Sequence, residues 1–222
     1  MVQAVRRWSG LLAAAAAGYA CGLLPTADLV ARAASGGRRD LRREGSGNPG
    51  AANAIAVLGP GWGGVVLAGD VAKGVVACVV GRRLGSGGGA NLAGTMAVVG
   101  HCFPVTSRFR GGKGVATSAG QVAATLPAYL PIDLGVAYLA STGPWRRRAW
   151  AATTIASVAW VGAAALWWRR GWPNLWGPPP TASLPLAAAA TSALIFTRFL
   201  GVRTVGPPAS GDTAVRPNRT GV

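Results

Sequence analysis

Apolar runs recur along almost the whole chain, and they constrain its fold more than any other feature. Half of the residues are hydrophobic and only 13% are charged, whereas charged residues make up about a quarter of an ordinary soluble domain. The pattern predicts an all-α, polytopic integral membrane protein: a bundle of about seven transmembrane helices, some of them short. The predicted spans are 8–30, 62–80, 91–103, 115–128, 130–140, 149–168 and 182–196.

The sequence also predicts how the chain divides. Residues 1–204 are assigned to one membrane-embedded domain. Residues 205–222, rich in Gly, Pro, Thr and Arg, are assigned to a disordered cytoplasmic tail.

The charge balance is strongly basic, with 22 Lys plus Arg against six Asp plus Glu, a net charge of +16. The arginines occur in short clusters between apolar runs. This distribution suits membrane lipids and anionic substrates, and it predicts no nucleic-acid partner. The three cysteines, Cys21, Cys78 and Cys102, stand in apolar surroundings without metal-site spacing, so we predict small buried hydrophobes and no metal site.

Residues 100–120 contain the only histidine, a dense cluster of glycines and three basic residues. Glycines let successive backbone N–H groups turn toward one point, Lys113 adds positive charge, and Thr117 can donate a hydroxyl hydrogen bond. A helix that starts near Gly114 would aim its positive dipole end at the same point. The segment therefore predicts an anion cradle, with a flexible basic loop as the alternative. It is not a Walker A loop, because the four-residue spacer before Gly-Lys is missing.

A second glycine-rich segment, residues 45–53, carries the hydroxyl and amide side chains of Ser46, Asn48 and Asn53. Irregular polar backbone of this kind is tolerated at membrane depth only where protein or a wet cavity surrounds it. Further along, Asp70 and Lys73 are spaced i, i+3 within an apolar run, so they can pair on one helix face. Ionisable residues inside a span are candidates for a functional site, and a structural ion pair is the alternative.

These segments, in this order, resemble motifs of a known family. Gly45-Ser46-Gly47-Asn48-Pro49-Gly50-Ala51-Ala52-Asn53 is similar to the first motif of bacterial acyl-phosphate:glycerol-3-phosphate acyltransferases of the PlsY type. Gly100-His101, Phe103-Pro104 and Phe109-Arg110-Gly111-Gly112-Lys113-Gly114-Val115-Ala116-Thr117 are similar to its second motif. Pro25-Thr26-Ala27, Asp40-Leu41-Arg42, Asp70 and Lys73-Gly74 also fit in register. The similarity is good from about residue 19 to residue 120 and weak afterwards.

The resemblance implies a specific reaction at the cytoplasmic face of the cell membrane. A fatty acyl group passes from acyl phosphate to the 1-hydroxyl of glycerol 3-phosphate, giving lysophosphatidate and phosphate, with no acyl-CoA and no cofactor. Because acyl phosphate is already activated, we expect direct attack by the hydroxyl, with catalysis mainly by positioning and charge stabilisation.

The resemblance also implies roles for individual residues. Glycerol 3-phosphate binding is carried onto the second motif, at Gly111, Gly112, Lys113, Gly114 and Thr117. Hydrogen bonds to phosphate or carbonyl oxygens are expected from Ser46, Asn48 and Asn53. His101 is expected to orient a phosphate or the attacking hydroxyl. The predicted catalytic residues are Ser46, His101 and Lys113, supported by Asp70 and Lys73.

Two departures from the family pattern leave alternatives open. Ala56 stands where the family has an arginine important for activity, and Arg42, Arg43 or Arg110 could replace it. A third motif of His-Arg-Glu-Asn is expected near residues 198–201, where His, Glu and Asn are missing. The alternatives are a catalytically impaired homologue that binds phosphate or phospholipid and regulates lipid synthesis, and a small anion transporter.

Overall fold

The computed structural model describes residues 1–142 and 149–201, and every regular element in these ranges is helical. The α-helices are α1 Val2–Gly22, α2 Thr26–Ser35, α3 Ala51–Leu58, α4 Pro60–Cys102, α5 Val115–Thr125, α6 Leu130–Thr142, α7 Ala149–Arg170 and α8 Ser183–Gly201. Short 3-10 turns cover Val105–Ser107 and Pro127–Tyr129. The all-α prediction is confirmed for this part of the chain, and the predicted tail 205–222 lies outside it.

The predicted first span, 8–30, is wrong as one continuous helix. α1 ends at Gly22 and α2 begins at Thr26, because Pro25 has no N–H to donate and disfavours helical backbone at the residue before it. The carbonyl oxygen of Leu24 is left outside regular helix, where it accepts a hydrogen bond from Lys73 Nζ at 3.3 Å. The break therefore brings the chain between α1 and α2 onto α4.

α4 is a helical hairpin and not one straight rod. Gly85 and Ser86 have non-helical backbone angles, and a Cβ placed on Gly81 or Gly89 would clash with the backbone of the other. In a continuous helix these two glycines would be about 12 Å apart, so the chain turns back between them. The turn separates two spans that the sequence predicted as separate.

Both arms of α4 accept a neighbouring helix at glycine contacts. A Cβ on Gly18 or Gly22 of α1 would clash with backbone of the second arm, at Ala93 and Ala97. A Cβ on Gly120 of α5 would clash with the first arm at the carbonyl of Val71. Such close contacts between small residues are typical of helix packing in membranes.

Four helical stretches in the described residues are long and apolar enough to cross a membrane: Val2–Ser35, Pro60–Ser107, Ala151–Arg170 and Ser183–Leu200. The polytopic architecture is confirmed, whereas the predicted count of about seven crossings is not. α5 and α6, with 11 and 13 residues, are too short to cross a hydrocarbon core of about 30 Å upright.

Candidate active site

A cavity lies where the α1–α2 break, the first arm of α4 and the two glycine-rich segments meet. Both motif segments line it, through Pro49 of the first and Gly111 and Gly112 of the second. The polar side chains in its wall are Thr26, Asp28, Arg42, Asp70, Lys73, His101 and Ser107. The fold thus brings together segments that are up to about 90 residues apart in the sequence.

Asp70 is the centre of the charged side of the cavity, and its exposure is only 2%. Its Oδ1 accepts hydrogen bonds from Lys73 Nζ at 2.8 Å and from Thr26 Oγ1 at 2.9 Å. His101 Nδ1 lies 3.6 Å from the same oxygen. The predicted pairing of Asp70 with Lys73 is confirmed, and the pair both faces the bundle interior and lines the cavity.

His101 is buried between Asp70 and the second glycine-rich segment. A Cβ on Gly112 would clash with the Nε2 edge of its ring, so the loop can lie this close to the imidazole only with glycine at this position. The contact of His101 with Asp70 was not predicted. The sequence gives little sign of this contact, because the two residues lie on different arms of α4 and meet only when the helix folds back at Gly85 and Ser86.

The backbone of the second motif differs from the predicted cradle. The N–H groups of Gly111 and Gly112 donate to the carbonyls of Cys102 and His101, at 3.2 and 3.1 Å, so they are not free to bind an anion. The N–H groups of Lys113 and Gly114 form no hydrogen bond within the described residues. α5 follows at Val115, which confirms the predicted helix start, and its first turn adds unpaired donors.

Lys113 and Thr117 lie beside the cavity and not in its lining. Lys113 Nζ is 4.3 Å from the centre of the Phe199 ring. The pKa of Lys113 is lowered from its ordinary value, mainly by burial and further by the positive charge of Arg198. Thr117 is fully buried in the contact of α5 with α4, where a Cβ on Gly74 would clash with its carbonyl oxygen.

The first motif is closed by its own asparagine. Asn53 Nδ2 donates to the carbonyls of Leu41 and Glu44, at 2.9 and 3.0 Å, and its Oδ1 accepts from the Ser46 N–H at 2.8 Å. Ser46 is exposed, and Asn48 is half-buried. Asn53 therefore shapes this loop in the present arrangement, and the phosphate contacts expected of all three residues remain predictions.

Of the three arginines that could replace the one missing at Ala56, only Arg42 lines the cavity. It pairs with Asp28, and its Nε donates to the Arg110 carbonyl at 3.1 Å. Arg43 has 86% of its side chain exposed, and Arg110 contributes that carbonyl. The structure thus distinguishes candidates that the sequence left equal.

The end of α8, where the third motif departs from the family, contacts the second motif. Arg198 donates to the carbonyls of Gly111 and Gly112, at 2.7 and 3.1 Å. Its guanidinium lies 5.1 Å from the centre of the Phe103 ring. The sequence contains no signal for these backbone contacts.

Comparisons with known proteins agree with the motifs. The family model of glycerol-3-phosphate acyltransferase matches residues 12–201, well beyond the region of motif similarity. The glycerol-3-phosphate acyltransferase of Methylorubrum populi is 36% identical over 183 residues, covering 76% of this chain and 89% of that protein. The Rubrobacter xylanophilus protein of the same name is 46% identical over 120 residues, which is 54% of this chain. That alignment spans only 57% of the Rubrobacter protein's length.

A solved structure shares the fold. It is the crystal structure of PlsY (YgiH), an integral membrane glycerol 3-phosphate acyltransferase, in its glycerol 3-phosphate form. It superimposes with a TM-score of 0.70 at 26% identity, over 86% of this chain and 88% of that one. With the four apolar helical stretches, this likeness identifies an integral membrane protein. The match over residues 12–201 shows that the chain belongs to the glycerol-3-phosphate acyltransferase family.

Proposed function

We propose that the protein transfers a fatty acyl group from acyl phosphate to the 1-hydroxyl of glycerol 3-phosphate, giving lysophosphatidate and phosphate in phospholipid biosynthesis. The observation that carries the proposal is the meeting of both family motifs at one cavity lined by Arg42, Lys73 and His101. The PlsY structure in its glycerol 3-phosphate form and the relatives named for this activity support the same substrate.

The reaction needs a site for two phosphate groups more than it needs a nucleophilic side chain. The glycerol hydroxyl oxygen attacks the acyl carbonyl carbon, the bond from that carbon to the phosphate oxygen breaks, and phosphate leaves. The hydroxyl proton passes to phosphate or water. The pair of Lys73 with Asp70 is almost fully buried, whereas the pair of Arg42 with Asp28 is partly exposed and can open to a ligand. The charge for the two anions therefore comes from Arg42, Lys113 and the unpaired N–H groups at the start of α5. Catalysis on this arrangement is positioning and charge stabilisation.

Arg42 takes the part of the missing arginine in this proposal. Its guanidinium is held at the cavity by Asp28 and by the Arg110 carbonyl, so it is oriented before substrate arrives. A bound phosphate would compete with Asp28 for the same donors, and a planar guanidinium can bind a carboxylate or a phosphate through paired hydrogen bonds.

The membrane arrangement is part of the proposal. The bundle of about seven membrane helices would consist of α1, the two arms of α4, α5, α6, α7 and α8, in the cytoplasmic membrane, with the site facing the cytoplasm. In this arrangement α5 and α6 are embedded in the membrane, although each is too short to cross it alone. Labelling by an impermeant maleimide tests the orientation. Arg43→Cys reports the site end of the bundle, and Arg83→Cys, at the opposite end of the first arm of α4, is its matched partner. We expect Arg43→Cys to react only in inside-out vesicles and Arg83→Cys only in right-side-out vesicles. The reverse pattern contradicts the orientation.

The activity is tested with purified protein in lipid nanodiscs, supplied with acyl phosphate and glycerol 3-phosphate. We expect lysophosphatidate to form with acyl phosphate and not with acyl-CoA. Lys113→Ala should raise the KM for glycerol 3-phosphate at least about tenfold, the loss of one charge-assisted contact. Binding of glycerol 3-phosphate without turnover would contradict the proposed function and favour the impaired homologue.

A further inference from the structure

At the end of α8, an arginine side chain contacts the backbone of the second motif. One guanidinium, that of Arg198, donates to two successive carbonyls, those of Gly111 and Gly112. The same guanidinium lies over the ring of Phe103, which limits its freedom on the other side. Arg198 is therefore held in place, and it adds a restraint on the carbonyl side to glycine backbone whose N–H groups are already held by α4.

The two peptide groups bound by Arg198 are restrained to different extents. The group between Gly111 and Gly112 is held at both edges, because its oxygen accepts from Arg198 and its N–H donates to the His101 carbonyl. The group between Gly112 and Lys113 is held only at its oxygen. In a trans peptide the N–H points opposite to the C=O, so Arg198 directs the free N–H of Lys113 away from itself.

From this geometry we propose that Arg198 is a positioning residue for the phosphate site. It fixes the two peptide planes so that the Lys113 N–H and the first turn of α5 keep one orientation before substrate binds. The proposal rests on the proposed function for the identity of the phosphate, that of glycerol 3-phosphate. It also gives the altered end of α8 a definite role, which is to order the loop without contacting the ligand.

Two variants and one control test the role. Arg198→Ala removes both carbonyl contacts, whereas Arg198→Lys keeps the charge but loses the planar pair of donors. Arg82→Ala is the matched control, because Arg82 also donates to a backbone carbonyl, that of Trp176 at 2.9 Å, at the other end of the bundle.

The first measurement is hydrogen exchange of the amides of Gly111 and Gly112 in ligand-free protein. We expect about tenfold faster exchange in Arg198→Ala, a smaller increase in Arg198→Lys, and no change at these amides in Arg82→Ala. Unchanged exchange in Arg198→Ala overturns the proposal. If Arg198 only bound the phosphate, its loss would not change the exchange rates of the loop in ligand-free protein. This measurement needs no turnover, so it stands apart from any failure of the proposed activity.

The second measurement is steady-state kinetics. A less ordered loop weakens binding of the ground state and of the transition state to the same extent. The KM for glycerol 3-phosphate should therefore rise about tenfold in Arg198→Ala, with kcat little changed. Arg198→Lys should lie between Arg198→Ala and the unchanged protein. Full recovery of KM in Arg198→Lys would show that charge and not geometry matters, and it would overturn the positioning role.

Discussion

Among the described residues, two clusters of buried and half-buried polar side chains differ in charge and in what they face. The charged cluster, Thr26, Asp70, Lys73 and His101, lines the cavity. The neutral cluster, Thr95, Gln121 and Thr191, joins the second arm of α4 to α5 and α8, and it takes no part in lining that cavity. The neutral cluster holds helices together, whereas the charged cluster lies where a ligand can reach it.

The side chains of the neutral cluster form hydrogen bonds with one another. Gln121 Nε2 donates to Thr95 Oγ1 at 3.3 Å, and Gln121 Oε1 accepts from Thr191 at 3.0 Å. Hydrogen bonds between helices in membranes contribute on average only about 0.6 kcal/mol each. Breaking a buried ion pair costs about 3–5 kcal/mol. The two clusters should therefore respond very differently to substitution.

The largest expected effect is on stability at the charged cluster. Asp70→Asn keeps the shape of the side chain but leaves the buried ammonium of Lys73 without its counter-charge. We expect the free energy of unfolding to fall by about 3–5 kcal/mol, measured from the midpoint of unfolding in mixed detergent micelles.

A double variant separates the ion pair from the side chains themselves. Asp70→Asn combined with Lys73→Met removes the unpaired charge and should recover most of the lost stability. If Asp70→Asn alone unfolds at the same midpoint as the unchanged protein, the assignment of a tight buried ion pair is wrong.

The next largest effect is on the ligand side of the same cavity. Arg42→Ala should lower kcat/KM for glycerol 3-phosphate by about 30–100-fold, the loss of roughly 2–3 kcal/mol of charge-assisted contacts. Arg43→Ala makes the same change of charge at the neighbouring residue, whose side chain is exposed. Its effect should stay within about twofold, and equal losses in both variants would contradict the placement of Arg42 at the ligand.

The sequence predicted the all-α membrane fold and the pairing of Asp70 with Lys73, but not the break between α1 and α2 or the meeting of the two motifs at one cavity. The two correct predictions follow from the recurring apolar runs and from the i, i+3 spacing within one helix. Periodicity does not say which faces of two helices meet, so the contact of His101 with Asp70 depended on the fold of the α4 hairpin. The directions of the N–H groups at Gly111 and Gly112 were also beyond prediction. Glycine permits many backbone conformations, and contacts from distant His101 and Arg198 select one of them.

A smaller effect is expected at the neutral cluster. Gln121→Leu removes both interhelical hydrogen bonds of the side chain and keeps a similar volume, so the free energy of unfolding should fall by about 1 kcal/mol. The KM for glycerol 3-phosphate should not change, because the side chain takes no part in lining the cavity. A rise in KM as large as that of Arg42→Ala would remove the distinction between the two clusters.

The smallest effect concerns pH, and it should arise at the cavity end alone, because the neutral cluster has no titratable group. Burial and the charge of Arg198 lower the pKa of Lys113 below its ordinary value of 10.5. As pH rises through this lowered pKa the ammonium loses its proton, so the affinity for glycerol 3-phosphate should begin to fall at a lower pH than for an ordinary lysine.

An arginine stays charged throughout this range, so Lys113→Arg should bind with an affinity that does not decline on the alkaline side. The dissociation constant, measured by calorimetry from pH 7 to pH 10 without acyl phosphate, checks this directly. The same alkaline decline in both proteins would show that a group other than Lys113 governs binding.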